Sequence, residues 1–138
     1  MADRPELLVL DVNETLSDLA PMAERFTHVG AAGLLAKTWF AAVLRDGFAL
    51  TAVGENPAFA DLARDAARAL LDGQPLDRSL EDAVDHVMAG IGELDVHPDV
   101  ASGIPLLAGL GIRLATLSNG SSAVAQRLLG RADLAHHF

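Results

Sequence analysis

The chain has 138 residues, 10 Lys and Arg against 19 Asp and Glu, a formal charge of -9 and no cysteine. That length suits one ordinary domain, or one and a half. The acidic balance speaks against nucleic acid and anionic membranes, whose binding energy comes from neutralising phosphates with Lys and Arg. Apolar stretches are interrupted by charge or glycine every few positions, so none reaches the ~18 residues of a membrane span. Without cysteine there are no disulfides and no thiolate chemistry. The opening Met1-Ala2-Asp3-Arg4-Pro5 has neither the basic start nor the apolar run of a secretory signal, and a cytoplasmic setting is expected.

Leu7-Leu8-Val9-Leu10 is a short apolar run ending at an acid, the pattern of a parallel strand buried on both faces. About a hundred residues that read as helical follow. Gly33 to Arg45 is apolar on most faces. Asn56-Pro57 reads as an N-cap with proline at the first helical position, opening a helix that carries Phe59, Leu62, Ala66 and Leu70 on one face and ends near Gly73. Ser79-Leu80-Glu81-Asp82 has capping-box spacing and starts a helix through Val84, Val87 and Met88, stopped at Gly90. Pro98 begins a helix carrying Val100, Ile104, Leu107 and Leu110. A turn at Gly109 and Gly111 leads to a second buried strand, Ile112 to Leu117, which ends at Ser118-Asn119-Gly120. Ser121 or Ser122 then caps a last helix through Val124, Leu128 and Leu129. Two parallel strands separated by helices predict an α/β fold: a Rossmann-like doubly wound sheet, incomplete, with a helical cap inserted after the first strand. The expected division is 1–17 for the first strand and its loop, 18–97 for the cap, and 98–138 for the second part of the core. Ligands of such sheets bind beyond the strand C-terminal ends, where both polar motifs fall.

The first motif is Asp11-Val12-Asn13-Glu14-Thr15. On position alone Asp11 reads equally as a cap of the following turn or as a carboxylate held in a crevice. The second motif is Leu117-Ser118-Asn119-Gly120, whose hydroxyl, amide and backbone NH groups can converge on an anion at a helix start. By itself it is also an ordinary turn.

Together, an Asp at a strand end with Thr15 four positions on, and Leu-Ser-Asn-Gly after a cap-sized insertion, resemble the haloacid dehalogenase superfamily, closest to the type II, L-2-haloacid, dehalogenases. The resemblance implies that Asp11 is a nucleophile forming a covalent ester, with Thr15 supporting it. It implies that Ser118 and Asn119 hold the substrate carboxylate, with Val12, Asn13, Gly120 and Phe40 completing the substrate site. Phosphatases of the superfamily carry a second Asp where Asn13 stands, and an amide cannot protonate a leaving alkoxide. Type II dehalogenases often have an aromatic residue there, so Asn13 departs from both. Glu14 is a substitute acid only if its side chain turns toward Asp11, and its place in the run points it elsewhere. The dehalogenase reading uses no cofactor; the phosphatase alternative calls for Mg²⁺ on Asp11 and the Asn13 backbone.

In the resembled dehalogenases a cap arginine pairs with the substrate, a role suited to a forked guanidinium. Here Phe40 takes that place, and Arg45 either reaches in from a later turn or is a solvated surface residue. Trp39, Phe40 and Phe48 wall an apolar pocket or form the core of the cap. His28, His86 and His97 each read as solitary surface or helix-end residues, and His136-His137 lacks metal-site spacing. Superfamily members continue with further strands that supply a lysine and a last acidic or polar motif; the sole lysine here is Lys37, in the cap. The expectation is therefore a truncated N-terminal portion whose sheet exposes an edge and apolar faces. The sequence supports three readings: an (S)-2-haloacid dehalogenase-like hydrolase acting on a small carboxylic acid, a Mg²⁺-dependent small-molecule phosphatase, or an inactive member kept as a binding or regulatory domain. No nucleic acid or membrane partner is expected, and a homodimer is left open.

Overall fold

The computed structural model describes residues 4–138. Met1, Ala2 and Asp3, part of the opening read above for a leader, lie outside the described residues. Strands β1 (Leu7–Leu10) and β2 (Arg113–Thr116) form a parallel two-stranded sheet, with Leu7 opposite Arg113 and Leu10 opposite Thr116. The ladder extends at one end through Arg113 N–H to the Glu6 carbonyl (3.0 Å) and at the other through Leu117 N–H to the Leu10 carbonyl (2.9 Å). Helices fill the chain between the strands, so it has the expected α/β architecture with a helical insertion. It divides into two compact units, one made of the residues up to Leu19 and from Leu94 on, the other of Ala20–Glu93.

In the first unit, helices α5 (Val100–Gly109) and α6 (Ser122–Arg131) place Ile104, Leu107, Ala125, Leu128 and Leu129 in one apolar cluster with Leu8, Leu10, Val12, Leu16 and Leu114. Strand periodicity sends alternate residues of β1 away from that cluster. Leu7 and Val9 are consequently 44% and 52% exposed, which corrects the expectation of a strand buried on both faces. β2 is also shorter than its apolar run: Ile112 is buried in the cluster but precedes the ladder. Pro98 lies just outside α5, whose N-cap residue is Asp99, and Ser121 rather than Ser122 caps α6, accepting the Ala123 amide at 3.2 Å.

The end of α6 is fixed by a cap that feeds the same cluster. The Leu134 amide reaches back to the Leu129 carbonyl (2.8 Å) and the Asp133 amide to the Gly130 carbonyl (3.1 Å). These are the two bonds of a Schellman cap, and they bring Leu134 onto Leu129 inside the cluster. The motif needs a left-handed residue, which here is Asp133 at φ 56.

The second unit holds α1 (Met22–Thr27), α2 (Leu35–Ala52), α3 (Phe59–Leu71) and α4 (Leu80–Ile91). α1 was not evident from the sequence, being only six residues long, yet it buries Met22 and Phe26. α2 continues to Ala52, past the expected end at Arg45. α3 starts after an extended Ala58 with no side-chain cap, so Asn56-Pro57, upstream of it, is not its N-cap. Its buried face is Ala63, Ala66, Ala67 and Leu71, while Phe59, Leu62 and Leu70 are half-buried. Those alanines leave room for Trp39 of α2, which is 1% exposed and donates its indole N–H to the Ala63 carbonyl at 2.8 Å. α4 is capped by Ser79, whose hydroxyl oxygen accepts the Asp82 amide at 3.2 Å. It runs through Gly90 instead of stopping there, and a Cβ at Gly90 would come within 2.8 Å of Arg25 Cγ. Close approach to α1, not termination, explains that glycine. Ion pairs Arg64–Asp85 (2.6 Å) and Arg68–Glu81 (2.8 Å) join α3 to α4 along the exposed rim.

His28 and His86 are not solitary: their rings meet edge-on with centroids 5.8 Å apart. His86 Nε2 is buried with no hydrogen-bond partner. Burial, followed by the charges of Arg25, Arg78 and His28, pushes the His86 pKa below its ordinary value. No helix of the described residues is long and apolar enough to cross a membrane.

Two outcomes follow for stability. Asp133→Gly removes left-handed strain while keeping both Schellman bonds, and should raise the urea midpoint by the equivalent of about 0.5–1 kcal/mol with an unchanged slope. Because His86 is held below its unfolded pKa, the unfolded chain takes up the proton first as pH falls. Stability should be full above the ordinary histidine value of 6.5 and decline through the window below it. Melting temperatures at pH 7.5 and 5.5 should differ less in His86→Phe than in the parent protein; an equal difference in both would refute the assignment.

Candidate active site

Asp11 is the first residue beyond β1, exposed at the sheet edge, and its carboxylate Oδ2 accepts the Thr15 hydroxyl at 3.2 Å. The loop after it is organised around one atom. The Val12 carbonyl accepts the amides of Thr15 (3.3 Å), Leu16 (3.0 Å) and Ser17 (2.9 Å) and also the Ser17 hydroxyl (3.2 Å). Ser17 is 3% exposed, and its oxygen in turn accepts the Glu14 amide at 3.3 Å. Such a turn requires a residue with positive φ, and Glu14 takes it at φ 61. The Glu14 carboxylate accepts the Leu19 amide at 2.9 Å. It therefore closes the loop and does not stand in for the acid that Asn13 replaces.

The second motif follows β2 at the same edge. The Ser118 oxygen accepts the Gly120 amide at 3.0 Å, so that amide, one of the groups the sequence offers to an anion, is already engaged. The Ser118 hydroxyl proton and the exposed Asn119 amide remain as donors, whereas the Ala123 and Val124 amides in the first turn of α6 are taken by Ser121. A Cβ at Gly120 would lie 3.3 Å from Ser118 Oγ and 3.8 Å from Asn13 Nδ2. Gly120 thus sits where the two motifs meet, and a Cβ there would press on Ser118 Oγ and touch Asn13.

The structure brings Asp11, Val12, Asn13, Thr15, Ser118, Asn119 and Gly120 together in the first unit. Phe40 belongs to the second unit, half-buried on α2 with its ring 6.4 Å from that of Trp39. Trp39 is core of that unit, and Phe48 is 67% exposed. Arg45 is an exposed residue paired with Asp46 at 2.7 Å, which raises its pKa and lowers that of Asp46. Sequence reasoning missed Ser17, Asp18 and His97. Ser17 gave one signal, a hydroxyl residue following Leu16 inside a loop that has to bury its own carbonyl. His97, read as solitary, has its Nε2 at 3.4 Å from the Glu14 carbonyl oxygen and its Nδ1 at 4.0 Å from Asp18.

A two-stranded parallel sheet, an acid at the end of its first strand, a Ser-Asn-Gly turn at the end of its second, and helices inserted between define the class: an α/β fold of the haloacid dehalogenase type. Among solved structures, a dehalogenase aligns with the whole of this chain at 26% identity and a TM-score of 0.88, over 62% of its own length. A dehalogenase with an intermediate complex aligns at 26% identity over 97% of this chain, with a TM-score of 0.85. The L-2-haloacid dehalogenase from Xanthobacter autotrophicus, at 23% identity and a TM-score of 0.80 over 98% of this chain, shares the fold. The chain spans 60% and 62% of the two dehalogenase chains and 55% of the Xanthobacter enzyme. No protein-family model matches the sequence, and no curated protein matches it either.

Removing the Ser17 hydroxyl strands a buried carbonyl contact and the Glu14 amide. Ser17→Ala should therefore destabilise the protein by about 1–3 kcal/mol in urea unfolding, well above the ordinary cost of a surface serine.

Proposed function

We propose that this chain carries the nucleophile and carboxylate-holding groups of a hydrolase that acts on (S)-2-haloalkanoic acids. The observation that carries the reading is the parallel register of β1 and β2, which ends both motifs at one sheet edge with Asn13 near Gly120. An Asp11 carboxylate oxygen attacks the carbon that bears the halogen. The carbon–halogen bond breaks, the halide leaves with the electron pair, and an aspartyl ester remains. Water then adds to the Asp11 carbonyl carbon, releasing the 2-hydroxy acid and a proton and restoring the carboxylate. Ser118 and Asn119 hold the substrate carboxylate with neutral donors.

Asn13 supports halide over phosphate as the leaving group. Halide departs as a stable anion and needs no proton, whereas an alkoxide needs an acid at that place. An amide where a second carboxylate would stand also weakens a Mg²⁺ site, because Mg²⁺ is usually held by one or two carboxylates plus substrate phosphates. Similarity to dehalogenases at 26% identity is in keeping with this reading.

The ester-forming half-reaction is the direct test. Protein mixed with each enantiomer of 2-chloropropionate and quenched should yield an Asp11-containing peptide heavier by one propionate unit, with stoichiometric chloride release from the S enantiomer. Asp11→Asn should abolish both signals, and EDTA should leave them unchanged. Loss of activity in EDTA together with phosphate release from small monoesters would favour the phosphatase. Absence of any adduct or halide with every 2-haloacid tried would exclude the reading.

A further inference from the structure

We propose that Glu14, Asp18 and His97 form a binding site for a first-row divalent cation of the zinc type, on residues distinct from those assigned to the haloacid. Each of the three offers a ligand atom, and these atoms all lie within 4.8 Å of one another. Two come from the loop that follows Asp11 and one from the segment that returns from the helical insertion. The backbone pins them together: the Asp18 amide donates to the Asp95 carbonyl and the His97 amide to the Leu16 carbonyl, both at 2.9 Å, on either side of an antiparallel bridge between Ser17 and Val96. Asp18 and His97 are thus held by the main chain before any cation arrives, which lowers the ordering cost of binding.

The imidazole is oriented for ligation. In the neutral tautomer that donates Nε2–H to the Glu14 carbonyl, 3.4 Å away, the lone pair lies on Nδ1, which faces the Asp18 carboxylate at 4.0 Å. Metal-bound histidines commonly donate their second ring N–H to a backbone carbonyl in this way. A cation between that lone pair and the carboxylate is attracted by both. One nitrogen and two carboxylate donors suit zinc, nickel or cobalt; Mg²⁺ and Ca²⁺ prefer all-oxygen sets of six or more ligands. Tetrahedral zinc at about 2.0–2.1 Å from each ligand puts donors about 3.3 Å apart, so the widest present separation contracts by roughly 1.5 Å. The exposed Glu14 side chain supplies that movement by loosening its bond to the Leu19 amide. A bound ion would clamp the loop bearing Asp11 and Asn13 to the segment ending at His97.

Metal-free protein titrated with Zn²⁺ should bind one ion saturably by calorimetry, and its melting temperature should rise by roughly 5–10 °C at a hundredfold excess over the dissociation constant. His97→Gln and Asp18→Asn should each weaken binding at least tenfold, while His136→Gln/His137→Gln should bind like the parent. If His97→Gln fails to fold by circular dichroism, Glu14→Gln, at an exposed position, serves in its place with the same expected loss. Absence of saturable binding, full affinity in the Asp18 and His97 or Glu14 variants, loss in the His136/His137 variant, or an equal thermal shift with Mg²⁺ would each overturn the site.

Discussion

The hydrogen bond from the Leu117 amide to the Leu10 carbonyl, 2.9 Å long, is the last rung of the ladder that joins two strands about a hundred residues apart. Parallel strands cannot be joined by a tight turn, so the chain has to travel out and return before the pair can form. Closing so long a loop is entropically costly, although the cost grows only slowly with length. The insertion reduces it by folding largely on local contacts, helix against neighbouring helix. The register itself is set by burial. Leu8, Leu10 and Leu114 face the same cluster as Ile104, Leu128 and Leu129, and a slip of one residue would send the β1 pair into solvent. Asp11 is thereby fixed at the sheet edge by residues that take no part in chemistry.

From that edge the loop must turn sharply, and the Val12 carbonyl stabilises the turn by accepting four hydrogen-bond donors. Left-handed backbone at Glu14 costs an L-residue about 1–2 kcal/mol. Its own carboxylate bond to the Leu19 amide and the Ser17 bond to its amide offset that cost locally. Asn13 and Glu14 are adjacent yet serve different ends. Asn13 comes up beside Gly120, whereas Glu14 turns back along its own chain. An acid one residue later is therefore no substitute for an acid at Asn13.

The parts of this fold legible in the sequence are those governed by short-range rules. The apolar run ending at Asp11, the Ser79 cap and the serine that opens α6 rest on local patterns, and each lies where its pattern puts it. Features decided by packing between elements were not legible. Gly90 looked like a helix stop because glycine usually is one, but here it admits Arg25 and Met22. The buried face of α3 is a ridge of alanines and not the larger Phe59 and Leu62, because Trp39 needs the space and the Ala63 carbonyl. At the site, the strand-end acid and the Ser-Asn-Gly turn were legible as types, and the apposition of Asn13 with Gly120 was not, since it depends on the register. His97 appeared solitary because its neighbours Glu14 and Asp18 are about eighty residues away along the chain.

Charge places the strongest remaining constraint on the proposed chemistry. Among the described residues no cation stands within ion-pair distance of Asp11, whose hydrogen-bond partner is the neutral Thr15 hydroxyl. A 2-haloacid brings a second carboxylate, and two unit charges about 5 Å apart repel by about 1–3 kcal/mol at effective dielectric constants between 80 and 20. That repulsion eases during the reaction, because attack moves the negative charge of Asp11 onto a departing halide. The substrate carboxylate keeps its charge throughout, so groups that hold it act equally on ground state and transition state and govern affinity more than rate. In the proposed reaction that affinity role falls to Ser118 and to one N–H of Asn119. Discrimination in the chemical step then depends on the halide, and on whatever accepts its charge as the bond to carbon lengthens. Among the donors at this edge, the Asn13 and Asn119 amides are suited to accept it. They are neutral, they do not quench the carboxylate nucleophile, and they offer N–H groups to an anion that forms only as the reaction proceeds.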